Sequence, residues 1–138
     1  AMNINACAST HSGAFVERTV IEWMRQIYNF PQDTTGGLLV TGTSVATIIA
    51  MASARQRAFA NVREDGVING PQLVAYASTE VQICVRKALE LLGLGSKALH
   101  YIPVDDQFQI KTDDLKVAIR NDRAKGLVPF CLIGNAGE

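Results

Sequence analysis

Apolar positions follow two rhythms along this chain. Between residues 14 and 28, Phe15, Val16, Val20, Ile21, Trp23, Met24, Ile27 and Tyr28 recur at helical spacing, with Glu17, Arg18, Glu22 and Arg25 between them. The spacing predicts an amphipathic helix that stops near Asn29-Phe30-Pro31. The run Leu38-Leu39-Val40 predicts a short buried strand. A helix is then expected over about 44–63, its first half (Ala46, Ile48, Ile49, Ala50, Met51, Ala52) buried on nearly all sides. LVAYA at 73–77 predicts a second strand. The next helix, 80–92, turns Val81, Val85, Leu89 and Leu92 inward and stops at Gly93 and Gly95. ALHYIPV at 98–104 predicts a third strand, to which Phe108 and Ile110 add a short extended piece. Thr112 or Asp113 caps a helix bearing Leu115, Val117, Ala118 and Ile119, and Gly126 closes it. LVPFCLIG at 127–134 is the fourth strand.

Helix, three strand–helix pairs and a last strand make an α/β chain. Such alternation predicts a parallel-rich sheet with helices on both faces. Ligands of these sheets sit beyond the carboxyl ends of the strands, here residues 41–44, 78–82, 105–106 and 135–138. Residues 1–12 read as an irregular lead-in, with Ala1 ahead of Met2 resembling an expression scar, and 13–138 as part of one domain. An apolar last strand leaves an edge that further chain would cover.

Composition narrows the partners. Lys+Arg and Asp+Glu both number 13 in 138 residues, so no net field draws nucleic acid or an anionic membrane. The most apolar stretch is broken by Thr47, Ser53 and Arg55, short of a span. Three cysteines (Cys7, Cys84, Cys131) fit a reduced, cytoplasmic protein better than a disulfide framework. With His11 and His100 as the only histidines and no zinc spacing, no metal site is expected.

The chemistry concentrates at Thr41-Gly42-Thr43-Ser44, where a strand feeds a helix through a glycine and hydroxyl turn. Free N–H groups and hydroxyls at a positive helix end suit a phosphate. An ordinary helix cap by Thr43 or Ser44 is the plain alternative. A dinucleotide reading, an NAD(P)-binding Rossmann-like domain, has Thr41, Gly42 and Ala46 in its favour. It lacks the later glycines, and Glu64 and Asp65 follow a helix where an acidic residue should end a strand.

A wider pattern takes in more of the chain. GGLLVTGTSVATIIAMASAR, LVAYASTEVQICVRKALELLGLG and IPVDDQFQIKTDDLKVAIRNDRAKGLVPFCLIGNAG, with the helix ERTVIEWM before them, resemble the front half of the large domain of group II pyridoxal-phosphate-dependent amino-acid decarboxylases. These include the aromatic amino acid and glutamate decarboxylases, of the aspartate aminotransferase type I fold. The resemblance implies pyridoxal 5'-phosphate as cofactor, an L-amino acid as substrate and a homodimer. It implies that Gly42, Thr43 and Ser44 receive the cofactor phosphate, that Gln82 faces the ring where many members have histidine, and that Asn135 to Gly137 line the site. Val45 replaces a frequent glutamate, and Glu138 a usual threonine. The Schiff-base lysine and the aspartate at the pyridine nitrogen are expected on segments after Glu138. Lys87, Lys97, Lys111, Lys116 and Lys125 then read as surface charges, and no catalytic residue is assigned within these 138 residues, which alone would not decarboxylate. The alternative is a truncated or split, non-catalytic module that self-associates. His100 reads as a sheet residue and Cys84 as a buried, inert thiol.

Overall fold

A computed structural model describes residues 12–33 and 36–135. The lead-in at 1–11, Gly137 and Glu138 lie outside them. The chain divides into two compact units, Ala1–Thr41 and Gly42–Glu138.

In the first unit α1 spans Ser12–Ile27, as its periodicity predicts. Arg25 holds it together locally, donating to both Glu22 carboxylate oxygens at 2.8 and 2.6 Å and to the Phe30 carbonyl at 2.7 Å. Residues 38–40 form no strand, contrary to the expectation from their apolar run. Leu38 and Leu39 are exposed, and the Leu39 N–H donates to the Glu17 carboxylate at 2.7 Å rather than to a neighbouring strand. Apolar side chains favour a strand only where a partner ladder exists, and no strand pairs with these residues among those described. Gly37 packs on α1, where a Cβ would stand 2.9 Å from Ile21 Cγ2.

The second unit is a three-stranded parallel sheet, order β2-β1-β3, with β1 at Leu73–Ser78, β2 at Leu99–Ile102 and β3 at Val128–Ile133. Helices α2 (Thr43–Ala58), α3 (Val62–Asp65), α4 (Ile83–Leu91) and α5 (Thr112–Ala124) surround it. The crossover through α4 carries the chain from β1 out to β2, and the one through α5 carries it back past β1 to β3. Two crossovers of the same right hand running in opposite directions put their helices on opposite faces. That is what the packing has. Met51 of α2 and Val85, Ala88 and Leu89 of α4 bury Ala75, Ala77 and Leu99. Leu115, Ala118 and Ile119 of α5 cover Val74, Tyr76 and Ile102 on the other face. Alternate residues of β1 thus serve two cores, so the whole strand from Leu73 to Ala77 is buried.

Two helices depart from expectation. The predicted 44–63 helix breaks after Ala58, and only Met51 of α2 is buried. Ala46 and Ala50 are exposed, because within the second unit α2 packs one face on α4 and the sheet. The cap of α5 is Lys111, before the expected Thr112 or Asp113, and Asp113 and Asp114 lie in the positively polarised first turn. Beyond β2, Val104 and Ile110 form an isolated antiparallel bridge, so Ile110 is extended as expected, whereas Phe108, at φ 59°, sits in the turn between them.

Candidate functional site

The helix α2 starts from a glycine for a physical reason. Gly42 has φ 94° and ψ 161°, a region essentially closed to residues with a Cβ. Its carbonyl accepts the Ala46 N–H at 3.2 Å, and no side chain caps the helix. The plain capping role considered for Thr43 and Ser44 is therefore absent. Both residues are exposed in the first turn. The N–H groups of that turn have no acceptor within the helix, and a Cβ at Gly42 would meet only open space. Uncapped donors, two hydroxyls and an open approach are what a bound phosphate requires.

The turn is tied to α4. Thr47, one helical turn on, donates its hydroxyl proton to the Thr43 carbonyl at 2.8 Å, and its oxygen lies 3.8 Å from Cys84 Sγ. The Cys84 thiol is also 3.9 Å from Gln82 Oε1. Thr47 spends its one proton on Thr43, so the thiol is the donor in both contacts and its single proton is shared between two acceptors. Gln82 is the N-cap of α4, at φ −63° and ψ 145°, rather than a residue of its first turn, and its side chain is exposed and makes no cap bond. From the end of β3, Asn135 Nδ2 donates to the Glu80 carbonyl at 3.4 Å. The start of α2, the β1–α4 loop and the end of β3 therefore meet on the carboxyl side of the sheet. Gly42, Thr43, Ser44, Gln82 and Asn135 all belong to that side. Gly137 lies outside the described residues.

All five lysines are exposed. Lys116 pairs with Asp113 at 2.9 Å, Lys111 and Lys125 bracket α5, and Lys97 lies in the turn before β2. Cys84 and Cys131 are free thiols, each half-buried, and burial pushes the Cys131 thiol up. Among the described residues no helix is long and apolar enough to cross a membrane.

Sequence reasoning missed one polar cluster. Asp122, only 5% exposed, accepts the Tyr76 hydroxyl at 2.8 Å and His100 Nδ1 at 2.6 Å. Burial, and then the bond to Asp122, push the Tyr76 phenol well above its usual value. His100 is thus a sheet residue, as expected, but with a buried carboxylate for a partner. Charge at Asp122 within an otherwise solvated helix end gave no local signal of it.

Comparison with known proteins shows the family and the fold. Residues 2–138 match the pyridoxal-dependent decarboxylase conserved domain. An aromatic-L-amino-acid decarboxylase of Bacillus atrophaeus is 36% identical over 122 residues, 88% of this chain and 24% of the relative. A 4-hydroxyphenylacetaldehyde synthase of Rhodiola rosea is 31% identical over 137 residues, 94% of this chain and 27% of the relative. The crystal structure of the Rhodiola rosea synthase superposes with a TM-score of 0.71 over 88% of this chain and 27% of that one, at 31% identity. That of mouse CSAD in apo form superposes with a TM-score of 0.80 over 86% of this chain and 24% of that one, at 24% identity. The chain spans about a quarter of the length of these relatives. It has the fold of the large domain of aspartate aminotransferase type I enzymes, and it belongs to the group II pyridoxal-phosphate-dependent amino-acid decarboxylases.

Proposed function

We propose that residues 13–138 form the phosphate-holding part of the large domain of a decarboxylase that acts on an L-amino acid and works as a homodimer in the cytoplasm. The uncapped start of α2 behind Gly42 carries the reading, because its first-turn N–H groups find no acceptor among the described residues. Thr43 and Ser44 add hydroxyl donors to the phosphate, and the helix end favours its negative charge. Gln82 offers a planar amide to one face of the cofactor ring and is held on the thiol of Cys84. Unlike an imidazole, that amide holds no transferable proton, so its role is to pack and orient. Asn135 borders the site from the end of β3, and the family resemblance adds Gly137. When bound, pyridoxal 5'-phosphate supplies an electron sink for the carbon that loses its carboxylate.

All five lysines of these residues face solvent, which supports a cofactor-anchoring lysine elsewhere in the protein, with this stretch supplying binding groups. Free thiols at Cys84 and Cys131 support the reducing compartment. Borohydride reduction of the cofactor-loaded full-length protein, followed by peptide mapping, tests this division of labour. The label is expected on a lysine outside residues 1–138. A label on Lys87, Lys97, Lys111, Lys116 or Lys125 would overturn it.

A further inference from the structure

We propose that a cavity of about 370 Å³ at the amino ends of the strands, on the side of the sheet away from the phosphate turn, binds a small carboxylate that carries an apolar body. Its volume lies in the range of small-molecule sites, roughly 300–1,000 Å³. Every residue around it belongs to the second unit, between Val67 and Leu127. None of them is in the phosphate turn or at the carboxyl ends of the strands.

Local contacts hold the walls. The loop ahead of β1 folds onto the end of α4, where Gly93 has φ 76° and an added Cβ would stand 3.1 Å from Val67 Cγ2. The Gly70 N–H closes the same loop on the Val67 carbonyl at 3.3 Å, and the Val128 N–H ties the Gln72 carbonyl to the start of β3 at 2.8 Å. Val67, Leu73, Leu94 and Leu127 give the cavity its apolar surface.

The polar lining sets the charge of the ligand. Among the described residues around the cavity, Lys97 and His100 are the cationic side chains and no carboxylate is present. The His100 side chain is 30% exposed, and its Nδ1 is committed to Asp122 at 2.6 Å. An ionised carboxylate only accepts, so Nδ1 carries the proton of that bond and Nε2 is the nitrogen left for a ligand. Asp122 itself is buried and does not line the cavity. The carbonyl ends of the flanking helices, which would repel an anion, are already occupied. Arg55 Nη1 donates to the Leu92 carbonyl at 2.6 Å beside Gly93, and the N–H groups of Lys125, Gly126 and Leu127 take the last carbonyls of α5. A carboxylate therefore meets the Lys97 ammonium and, when the ring is protonated, the Nε2 proton of His100. An ammonium group would find no charge partner in this lining.

The test titrates hexanoate, and its neutral counterpart hexanamide, into full-length protein loaded with pyridoxal phosphate. Lys97→Met keeps the length of an exposed side chain while removing its charge. Calorimetry is expected to show hexanoate binding that weakens about fivefold in Lys97→Met and is unchanged in Thr43→Ala/Ser44→Ala, which alters the phosphate turn instead. Hexanamide should bind more weakly than hexanoate, and equally in wild type and Lys97→Met. The side-chain NMR resonances of His100, assigned by their loss in His100→Gln, should shift as hexanoate is added. Hexanoate binding that is absent or indifferent to Lys97, hexanamide binding as tight as that of hexanoate, or unmoved His100 resonances would overturn the proposal.

Discussion

Tyr76 of β1 donates its hydroxyl to the buried carboxylate of Asp122 in α5 at 2.8 Å, and the same oxygen takes His100 Nδ1 from β2 at 2.6 Å. One carboxylate thus joins β1 and β2 to the helix that leads from β2 to β3. Asp122→Ala strands a buried phenol and is expected to cost about 2–4 kcal/mol, while Tyr76→Phe leaves the His100 bond and should cost about 1–2 kcal/mol. Urea unfolding curves with equal slopes check both values.

Burial and the Asp122 bond push the Tyr76 phenol up. It should therefore stay protonated while ordinary tyrosines ionise near about pH 10. Alkaline difference spectra of wild type and Tyr76→Phe should coincide up to about pH 11 and diverge only on unfolding. An earlier loss of amplitude in the variant would contradict the buried pair.

These contacts mark the boundary of what the residues reveal by themselves. Periodicity located α1, α4, α5 and all three paired strands, since each needs only a local apolar stripe to be recognised. It also produced a strand at 38–40 that is absent, because Leu38 and Leu39 carry the local preference and lack a ladder to join. The Tyr76–Asp122 pair spans 46 residues of sequence, and no short-range rule links a phenol in one strand with an aspartate in a distant helix. The candidate phosphate turn stands out in the sequence because its chemistry is contiguous: glycine, threonine and serine at one helix start. The link from Thr47 through Cys84 to Gln82 depends on α2 and α4 packing side by side, and so does not stand out.

Gly42 occupies backbone space reserved for glycine. Gly42→Ala should destabilise the fold by about 1–3 kcal/mol and disturb the first turn of α2. Thermal unfolding measures the first effect, and an accompanying loss of affinity for pyridoxal phosphate the second.

Two hydrogen bonds from Arg25, with a further one from Gln26, lower the Glu22 carboxyl from 4.5 to about 2. A depressed carboxylate adds stability that is fully present above the ordinary value and is lost as the pH falls through the depressed one. α1 should therefore keep its Glu22–Arg25 bonds down to well below pH 4.5 and lose them near about pH 2. A carboxyl-carbon NMR titration of Glu22 reads that midpoint directly. A midpoint at the ordinary value would show the bonds to be absent.

Burial raises the Cys131 thiol, leaving little thiolate near neutrality. Alkylation of Cys131 at pH 8 should be much slower in the folded protein than in urea, as peptide mapping after timed quenching would show.

The central claim is that the start of α2 holds the phosphate of pyridoxal 5'-phosphate. Its most direct test compares the affinities of full-length protein and a Thr43→Ala/Ser44→Ala double variant for pyridoxal 5'-phosphate and for pyridoxal, which lacks the phosphate. The account predicts that the variant loses about tenfold or more in affinity for the phosphate ester and nearly nothing for pyridoxal. Equal losses for both ligands, or none for either, would contradict it.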